Sequence, residues 1–128
     1  MKIYVTHSRK WDYQNGLYAP IRQSHLNAQH EFILPHEFSN EPFPSQELIL
    51  NGGLDLLLAE VSIPSTPQGI ELGWANSKGV PIAFLYQPEA QPSNALGKVS
   101  DFFAIYCDNI QLINGINTAI KWANKKRD

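Results

Sequence analysis

Short apolar runs alternate along the chain with longer amphipathic segments. The apolar runs predict β-strands, and several are apolar on both faces, as strands buried in a parallel sheet are. The amphipathic segments predict helices between and after these strands. The predicted strands span residues 2–6, 31–34, 55–62, 81–86 and 102–107, and the predicted helices span roughly 13–29, 45–51, 69–78 and 109–125.

This alternation of strands and helices predicts an α/β fold. Because crossovers between parallel strands are right-handed, we expect a flavodoxin-like open, mostly parallel five-stranded sheet with helices on both faces. Ligands bind such sheets beyond the carboxyl ends of the strands, so chemistry is expected in the loops that follow them. The chain has 128 residues and no internal repeat or long linker, which predicts a single domain over residues 1–128.

Composition and charge narrow the class of protein. Hydrophobic residues make up 43% of the chain and charged residues 17%, which favours a globular protein over a disordered one. A net charge of −2 provides no basic surface for a nucleic acid polymer, and no apolar stretch is long enough for a membrane span. The lone Cys107, predicted to be buried, cannot form an internal disulfide. Together with an N-terminus that lacks a secretory pattern, this predicts a cytoplasmic location.

The most informative stretch is DLLLAEVSIPSTPQGIELGWA, residues 55–75. A buried strand passes through a proline-rich turn into a helix whose first turn is predicted to contain Glu71. Free N–H groups and the helix dipole would favour the ionised carboxylate there, which suits a nucleophile at the edge of the sheet. A first-turn acidic residue that only stabilises its helix is an equally good interpretation of this pattern.

The longer segment DLLLAEVSIPSTPQGIELGWANSKGVPIAFLY resembles the signature segment of the nucleoside 2-deoxyribosyltransferase family, which includes the 2'-deoxynucleoside 5'-monophosphate N-glycosidases. The likeness extends from Glu47 to about Pro88 and, more loosely, to the first strand; the rest matches only in the order of elements. Several residue types at fixed spacing are a stronger indication than a single glycine motif. The most specific positions are Ala59, Glu60, Val61, Pro64, Ser65, Gly69, Glu71, Leu72 and Gly73.

The resemblance implies three catalytic residues. Glu71 would attack the anomeric carbon of the sugar and form a covalent glycosyl-enzyme. Glu47 stands where the family has a second carboxylate, usually Asp, and Tyr4 matches a tyrosine that holds the nucleophile through its hydroxyl. Their residue types alone also fit ordinary roles, since Glu47 suits a helix behind the predicted N-cap Ser45 and Tyr4 suits a buried strand.

The resemblance also implies residues that bind the substrate. Ser8 matches a serine of the first loop, and Gly69 belongs to the signature itself. Ser65 stands where the transferases usually have Asp and the monophosphate glycosidases have Ser, which favours a phosphorylated substrate. Two positions depart from the family pattern. Pro67 replaces a glycine and removes a backbone N–H that could bind an anion, and His7 replaces a glycine of the first loop.

Basic and histidine residues add to this picture. Arg9 and Lys10 would bring positive charge to the phosphate end of the site. His36, at the end of the second strand, is expected to face the pocket. Its spacing to His25 and His30 fits no helical metal pair, so we predict neither a metal site nor another cofactor.

In the family a residue of a neighbouring subunit completes the site, and Ser93 or Asn94 lies in the corresponding loop. We therefore expect a homodimer or a higher homo-oligomer. The resemblance implies an enzyme that cleaves or transfers the N-glycosidic bond of a 2'-deoxynucleoside or its 5'-monophosphate, a small-molecule substrate, without a cofactor. The alternative is a non-catalytic nucleotide-binding or sensing module, which the departures at Pro67, His7 and Glu47 favour.

Overall fold

The fold is built on five parallel β-strands in the order β2-β1-β3-β4-β5. The computed structural model describes residues 1–127. This strand order is the flavodoxin-like one, so the predicted fold class is confirmed. The strands are β1 (Lys2–His7), β2 (Glu31–Ile33), β3 (Leu56–Glu60), β4 (Ile82–Tyr86) and β5 (Phe103–Ile105).

Helices cover both faces of this sheet. Apolar side chains of α1, α2 and α5 pack on one face, and those of α3 and α4 pack on the other. No helix within residues 1–127 is long and apolar enough to cross a membrane. The helices are α1 (Ala19–Gln23), α2 (Leu26–Gln29), α3 (Ser45–Asn51), α4 (Thr66–Lys78) and α5 (Asn109–Arg127), with a π-helical turn at Gln14–Tyr18 and a 3-10 helix at Asn94–Lys98.

The central strand β1 sends alternate side chains to the two faces, as a strand must. Ile3 and Val5 join the cluster under α1 and α5, whereas Tyr4 joins the cluster under α3 and α4. Tyr4 and Thr6 therefore lie on the same face, near the carboxyl end of the strand. The direction of the crossovers reverses between β1 and β3, and an open α/β sheet forms its ligand crevice at such a point.

The predicted helix over residues 13–29 is wrong as a single element. The chain forms the π-helical turn, then α1, then α2. Helix α1 ends because Ser24 adopts an extended backbone and its hydroxyl donates to the Ile21 carbonyl at 2.8 Å. A serine that binds a nearby carbonyl in this way competes with continuation of the helix.

Helix α4 begins at Thr66 and not at residue 69 as predicted. Ser65 is its N-cap, and Pro67 lies in the first turn, where a missing N–H costs nothing. Glu71 is consequently the sixth residue of the helix, and the first turn contains no acidic residue. The predicted effect of the helix dipole on Glu71 is therefore wrong, because that effect fades within the first turn.

Two predicted strands end earlier than their apolar runs suggest. β3 ends at Glu60 and β5 ends at Ile105. Cys107 lies beyond β5 and is exposed, so its predicted burial is wrong. The apolar run continues past the strand because Tyr106 still packs into the core, and its N–H donates to the carbonyl of Tyr86, the last residue of β4, at 3.1 Å.

Candidate functional site

A cavity of about 1040 Å³ opens at the carboxyl end of the sheet. Its walls come from the loop after β1, the segment before α3, α3 itself and the first turns of α4. Such a volume is in the range that accommodates a small-molecule ligand. Six of the residues predicted from the sequence line it or carry its polar groups, namely Ser8, His36, Glu47, Ser65 and Glu71 in its lining and Tyr4 beneath it.

The Glu71 carboxylate is held by two hydroxyl groups of β1. The Tyr4 hydroxyl donates to Oε2 at 2.6 Å, and the Thr6 hydroxyl donates to Oε1 at 2.7 Å. Each carboxylate oxygen thus receives one hydrogen bond and keeps lone pairs for a further partner. The arrangement fixes the plane of a half-buried carboxylate at the wall of the cavity.

Tyr4 remains a hydrogen-bond donor over a wide range of pH. Burial raises the pKa of the Tyr4 hydroxyl far above its usual range, and the negative charge of Glu71 raises that pKa further. The side chain is fully buried. Its hydroxyl also lies 2.6 Å from the Ser45 hydroxyl.

Ser45 does not cap α3 as predicted. Pro44 occupies the N-cap position, and no side chain accepts a hydrogen bond from the first turn of the helix. Ser45 is the first helical residue, and its hydroxyl contacts Tyr4. The Pro44 carbonyl accepts the first hydrogen bond of the helix, from the Leu48 N–H at 3.2 Å.

Glu47 reaches the same cavity from α3. Its side chain is exposed and lies in the first turn of that helix, where it accepts a hydrogen bond from the Asn51 amide at 3.2 Å. Glu47 and Glu71 therefore line one cavity from two different helices. The two carboxylates differ in their surroundings, since Glu71 is bound by hydroxyl groups and Glu47 is open to solvent.

Two serines at another part of the wall use their oxygen atoms as acceptors. The Ser8 hydroxyl accepts from the Lys10 N–H at 3.1 Å, and the Ser65 hydroxyl accepts from the Gln68 N–H at 3.4 Å. A hydroxyl that accepts in this way still has its proton to donate. Both side chains line the cavity together with exposed Arg9.

The imidazole ring of His7, in its neutral form, makes up part of the wall of this cavity. The ring is buried, with Nδ1 at 2.9 Å from the Ser8 carbonyl and Nε2 at 2.6 Å from the Tyr18 hydroxyl. Because a carbonyl only accepts, Nδ1 carries the proton and Nε2 accepts from Tyr18. Burial lowers the pKa of His7 to about 4. The ring packs against Tyr13 with centroids 4.4 Å apart.

His36 lines the cavity beside His7. Its Nδ1 is buried and has no hydrogen-bond partner among residues 1–127. Burial lowers the pKa of His36, and the positive charge of Arg9 lowers it further. Both effects favour the neutral form of the ring.

Three predicted site residues lie outside this cavity. Gly69 is on the exposed side of α4, where an added Cβ would meet no atom within 4 Å. Ser93 and Asn94 are exposed at the start of the 3-10 helix, where the Ser93 hydroxyl accepts from the Ala95 N–H at 3.2 Å. The cavity of this chain is formed without them.

Two features of the cavity were not predicted from the sequence: Thr6, which donates to Glu71, and an apolar wall. Thr6 could have been found because it follows Tyr4 by two residues and so shares its face of the strand. The apolar wall has helical spacing, with Ile70 and Trp74 four residues apart on α4 and on the same face as Glu71. Leu50 of α3 also contributes to this wall.

Known proteins resemble this chain in structure. No family model and no curated protein matches its sequence. A CMP N-glycosidase of Clostridium botulinum, BcmB, shares 18% identity over 91% of this chain and 99% of its own, with a TM-score of 0.62. A conserved protein of Enterococcus faecalis V583 shares 21% identity over 92% of this chain and 98% of its own, also with a TM-score of 0.62.

These likenesses concern the fold and extend over nearly the whole of each chain. They agree with the fold that the resemblance of the signature segment implies. The described residues contain no group of three His, Cys, Asp or Glu side chains that could hold a metal ion. The polar groups of the cavity are carboxylates, hydroxyls, imidazoles and two basic side chains.

Proposed function

We propose that this chain is an enzyme of the nucleoside 2-deoxyribosyltransferase family that cleaves the N-glycosidic bond of a nucleotide. The observation that carries the proposal is the Glu71 carboxylate, oriented by Tyr4 and Thr6 at the wall of a ligand-sized cavity. The fold shared with a CMP N-glycosidase supports the same conclusion.

In the proposed reaction Glu71 attacks the anomeric carbon of the sugar. A bond forms between a carboxylate oxygen and C1', and the bond between C1' and the base nitrogen breaks. The base takes a proton as it leaves, from protonated Glu47 or from a water molecule held by it. Water then cleaves the glycosyl ester, or a second base displaces it, so the configuration at C1' is retained. The reaction uses side chains, substrate and water or an acceptor base.

The two parts of the cavity match the two ends of a nucleotide. Ser8 and Ser65 have hydroxyl protons free to donate, and Arg9 and Lys10 add positive charge beside them. This end suits a 5'-phosphate, because phosphate oxygens accept hydrogen bonds and are negatively charged. The apolar wall around Trp74 suits a heteroaromatic base.

The site also suggests a homodimer. Ser93 and Asn94 are exposed and lie outside the cavity of their own chain, and we propose that they complete the cavity of a second copy. Light scattering should show at least twice the monomer mass of 14.4 kDa. Mixing an inactive Glu71→Ala chain with an impaired Ser93→Ala chain should restore part of the activity, since mixed dimers contain one site with neither change. A monomer with full activity would contradict this arrangement.

A binding module without catalysis is the second candidate. Pro67 in the first turn of α4 removes one backbone N–H from the phosphate end, and the His7 side chain occupies space that a glycine would leave open. Such a module would bind a nucleotide and release no base. Base release by the wild-type protein therefore separates the two candidates.

The test is base release from a panel of nucleosides and 5'-monophosphates, with and without an acceptor base. Glu71→Ala should abolish base release, whereas Glu31→Ala, which changes an exposed carboxylate on β2, should not. A 2'-fluorinated substrate analogue should accumulate as an adduct on Glu71 that intact mass measurement detects. Full activity of Glu71→Ala would end the covalent hypothesis.

The phosphate preference has its own test. Ser65→Asp places a negative charge beside the phosphate and should lower kcat/KM for the monophosphate, relative to its parent nucleoside, by at least about tenfold. Ser65→Ala removes the donor without adding charge and should change the ratio less. An unchanged ratio in Ser65→Asp would show that the 5' end lies elsewhere.

A further inference from the structure

Ser45 has an unusual role for a serine at the start of a helix. A serine at the N-cap accepts a hydrogen bond from a backbone N–H of the first turn, but Ser45 lies one position later, because Pro44 is the N-cap. In α3 no side chain caps the first turn, and the Ser45 hydroxyl instead lies 2.6 Å from the Tyr4 hydroxyl. The Ser45 hydroxyl thus contacts a fully buried side chain 41 residues away in the chain.

The direction of this hydrogen bond follows from the proton count. Tyr4 has one hydroxyl proton, which it donates to Oε2 of Glu71 at 2.6 Å. Its oxygen must therefore accept from Ser45. The three groups form a directed chain in which Ser45 donates to Tyr4 and Tyr4 donates to Glu71. In such a chain each donor polarises the next and strengthens its hydrogen bond.

We propose that Ser45 is a positioning residue, which acts on Glu71 through Tyr4 in the reaction of the proposed function. Its hydrogen bond holds the Tyr4 hydroxyl in the rotation that directs the proton to Glu71. Without Ser45 the Tyr4 hydroxyl would have no donor on its oxygen and would be free to turn its proton toward the cavity. Glu71 would then have one permanent hydrogen bond, from Thr6, and an intermittent one from Tyr4.

The proposal predicts the order of kcat among three single variants. Ser45→Ala should lower kcat about tenfold, the equivalent of about 1.4 kcal/mol, and leave KM nearly unchanged. It should also slow adduct formation by the 2'-fluorinated analogue to the same extent, because that step is the attack of Glu71. Ser45→Thr keeps a hydroxyl and should recover most of the rate. Ser24→Ala removes a serine hydrogen bond far from the cavity and should leave kcat unchanged.

A double-mutant cycle decides whether Ser45 acts through Tyr4. Tyr4→Phe removes the intermediate hydroxyl, so adding Ser45→Ala to it should cause no further loss of kcat. An equal loss in both backgrounds would overturn the proposal and leave Ser45 a merely structural residue. An inactive wild-type protein would overturn the proposed function together with this role. An active wild type with additive Ser45 and Tyr4 effects would overturn this role alone.

Discussion

Two carboxylates of the signature segment, Glu60 and Glu71, lie near the carboxyl ends of the strands but differ in burial and in their hydrogen-bond partners. Glu60 ends β3 on the face covered by α5 and is 2% exposed. Glu71 lies on the other face, half-buried at the wall of the cavity. Both accept hydrogen bonds from hydroxyl groups, so hydrogen bonding alone does not distinguish a reactive carboxylate from a structural one.

The two carboxylates differ in how far hydrogen bonds from the protein already occupy their oxygen atoms. Glu60 accepts from the Ser62 N–H at 2.8 Å, from the Ser62 hydroxyl at 3.0 Å and from the Tyr106 hydroxyl. Ser62 in turn accepts from the Gln87 N–H at 2.9 Å, so Glu60 ties together the loops after β3, β4 and β5. Burial raises the pKa of Glu60. Within residues 1–127 Glu71 has only two hydrogen-bond donors, Tyr4 and Thr6, and it lines the cavity, which agrees with the nucleophilic role proposed for it.

The largest expected effect separates the two residues by activity. Glu71→Gln should lower kcat by on the order of a thousandfold or more, because an amide cannot form the glycosyl ester. Glu60→Gln should stay within about threefold of wild type, since it changes no group in the cavity. Steady-state rates of base release measure both. A comparable loss in the two variants would erase the distinction between them.

Stability should show the reverse order. Glu60→Ala leaves the Tyr106 hydroxyl and the Ser62 N–H without their buried acceptor and should cost roughly 2–4 kcal/mol of unfolding free energy. Glu71→Ala removes a group beside open solvent and should cost less. Urea unfolding of the two variants gives the comparison, and a more destabilising Glu71→Ala would contradict it.

We expect each hydroxyl group to affect the same property as the carboxylate to which it donates: kcat for Thr6 and stability for Ser62. Thr6→Val removes one donor to Glu71 while keeping the shape of the side chain, and should lower kcat about tenfold. Ser62→Ala removes a donor to Glu60 and should lower stability by about 1 kcal/mol, with kcat unchanged. The pair is informative only if kcat and urea midpoints are measured on the same preparations. A loss of kcat in Ser62→Ala would show that the two networks are coupled.

The smallest effect concerns pH. Because the pKa of Glu60 is raised in the folded protein, its protonated form is favoured there. The resulting stabilisation is fully present below the unfolded pKa of about 4.3 and is lost as pH rises through the raised folded value. The difference in unfolding free energy between wild type and Glu60→Gln should therefore shrink as pH rises from acid to neutral. A difference independent of pH would exclude this titration.

The fold was largely predictable from local pattern. Apolar runs separated by amphipathic segments specify parallel strands with crossovers, and the observed strand order agrees with that expectation. The break within residues 13–29 was not predictable from apolar spacing, because the Ser24 hydroxyl ends α1 by binding a backbone carbonyl. The start of α4 was misplaced because the cap at Ser65 is followed by three residues, Thr66 to Gln68, that show no apolar periodicity.

The residues of the candidate site were predictable where they belong to the signature segment or the first strand. Glu71 and Ser65 follow from the signature, and Tyr4 follows from the first strand. Thr6 shares a face of β1 with Tyr4, which the period of two along a strand predicts. The contact of Ser45 depends instead on how β1 packs under α3, which no local pattern contains. Ser45 in particular looked like a helix cap, since its contact with Tyr4 exists only in the folded chain.

The hydrogen bonds around Tyr4 and Glu71 join residues that are 41, 67 and 65 positions apart in the chain. Closing such long loops is slow, and contacts of this kind form late relative to local ones. During synthesis, β1 emerges first and its hydroxyls have no carboxylate to bind until α4 has followed. The oriented Glu71 is therefore assembled only once β1, α3 and α4 have come together. A partly synthesised chain that lacks α4 therefore has Tyr4 and Thr6 without the carboxylate that they bind.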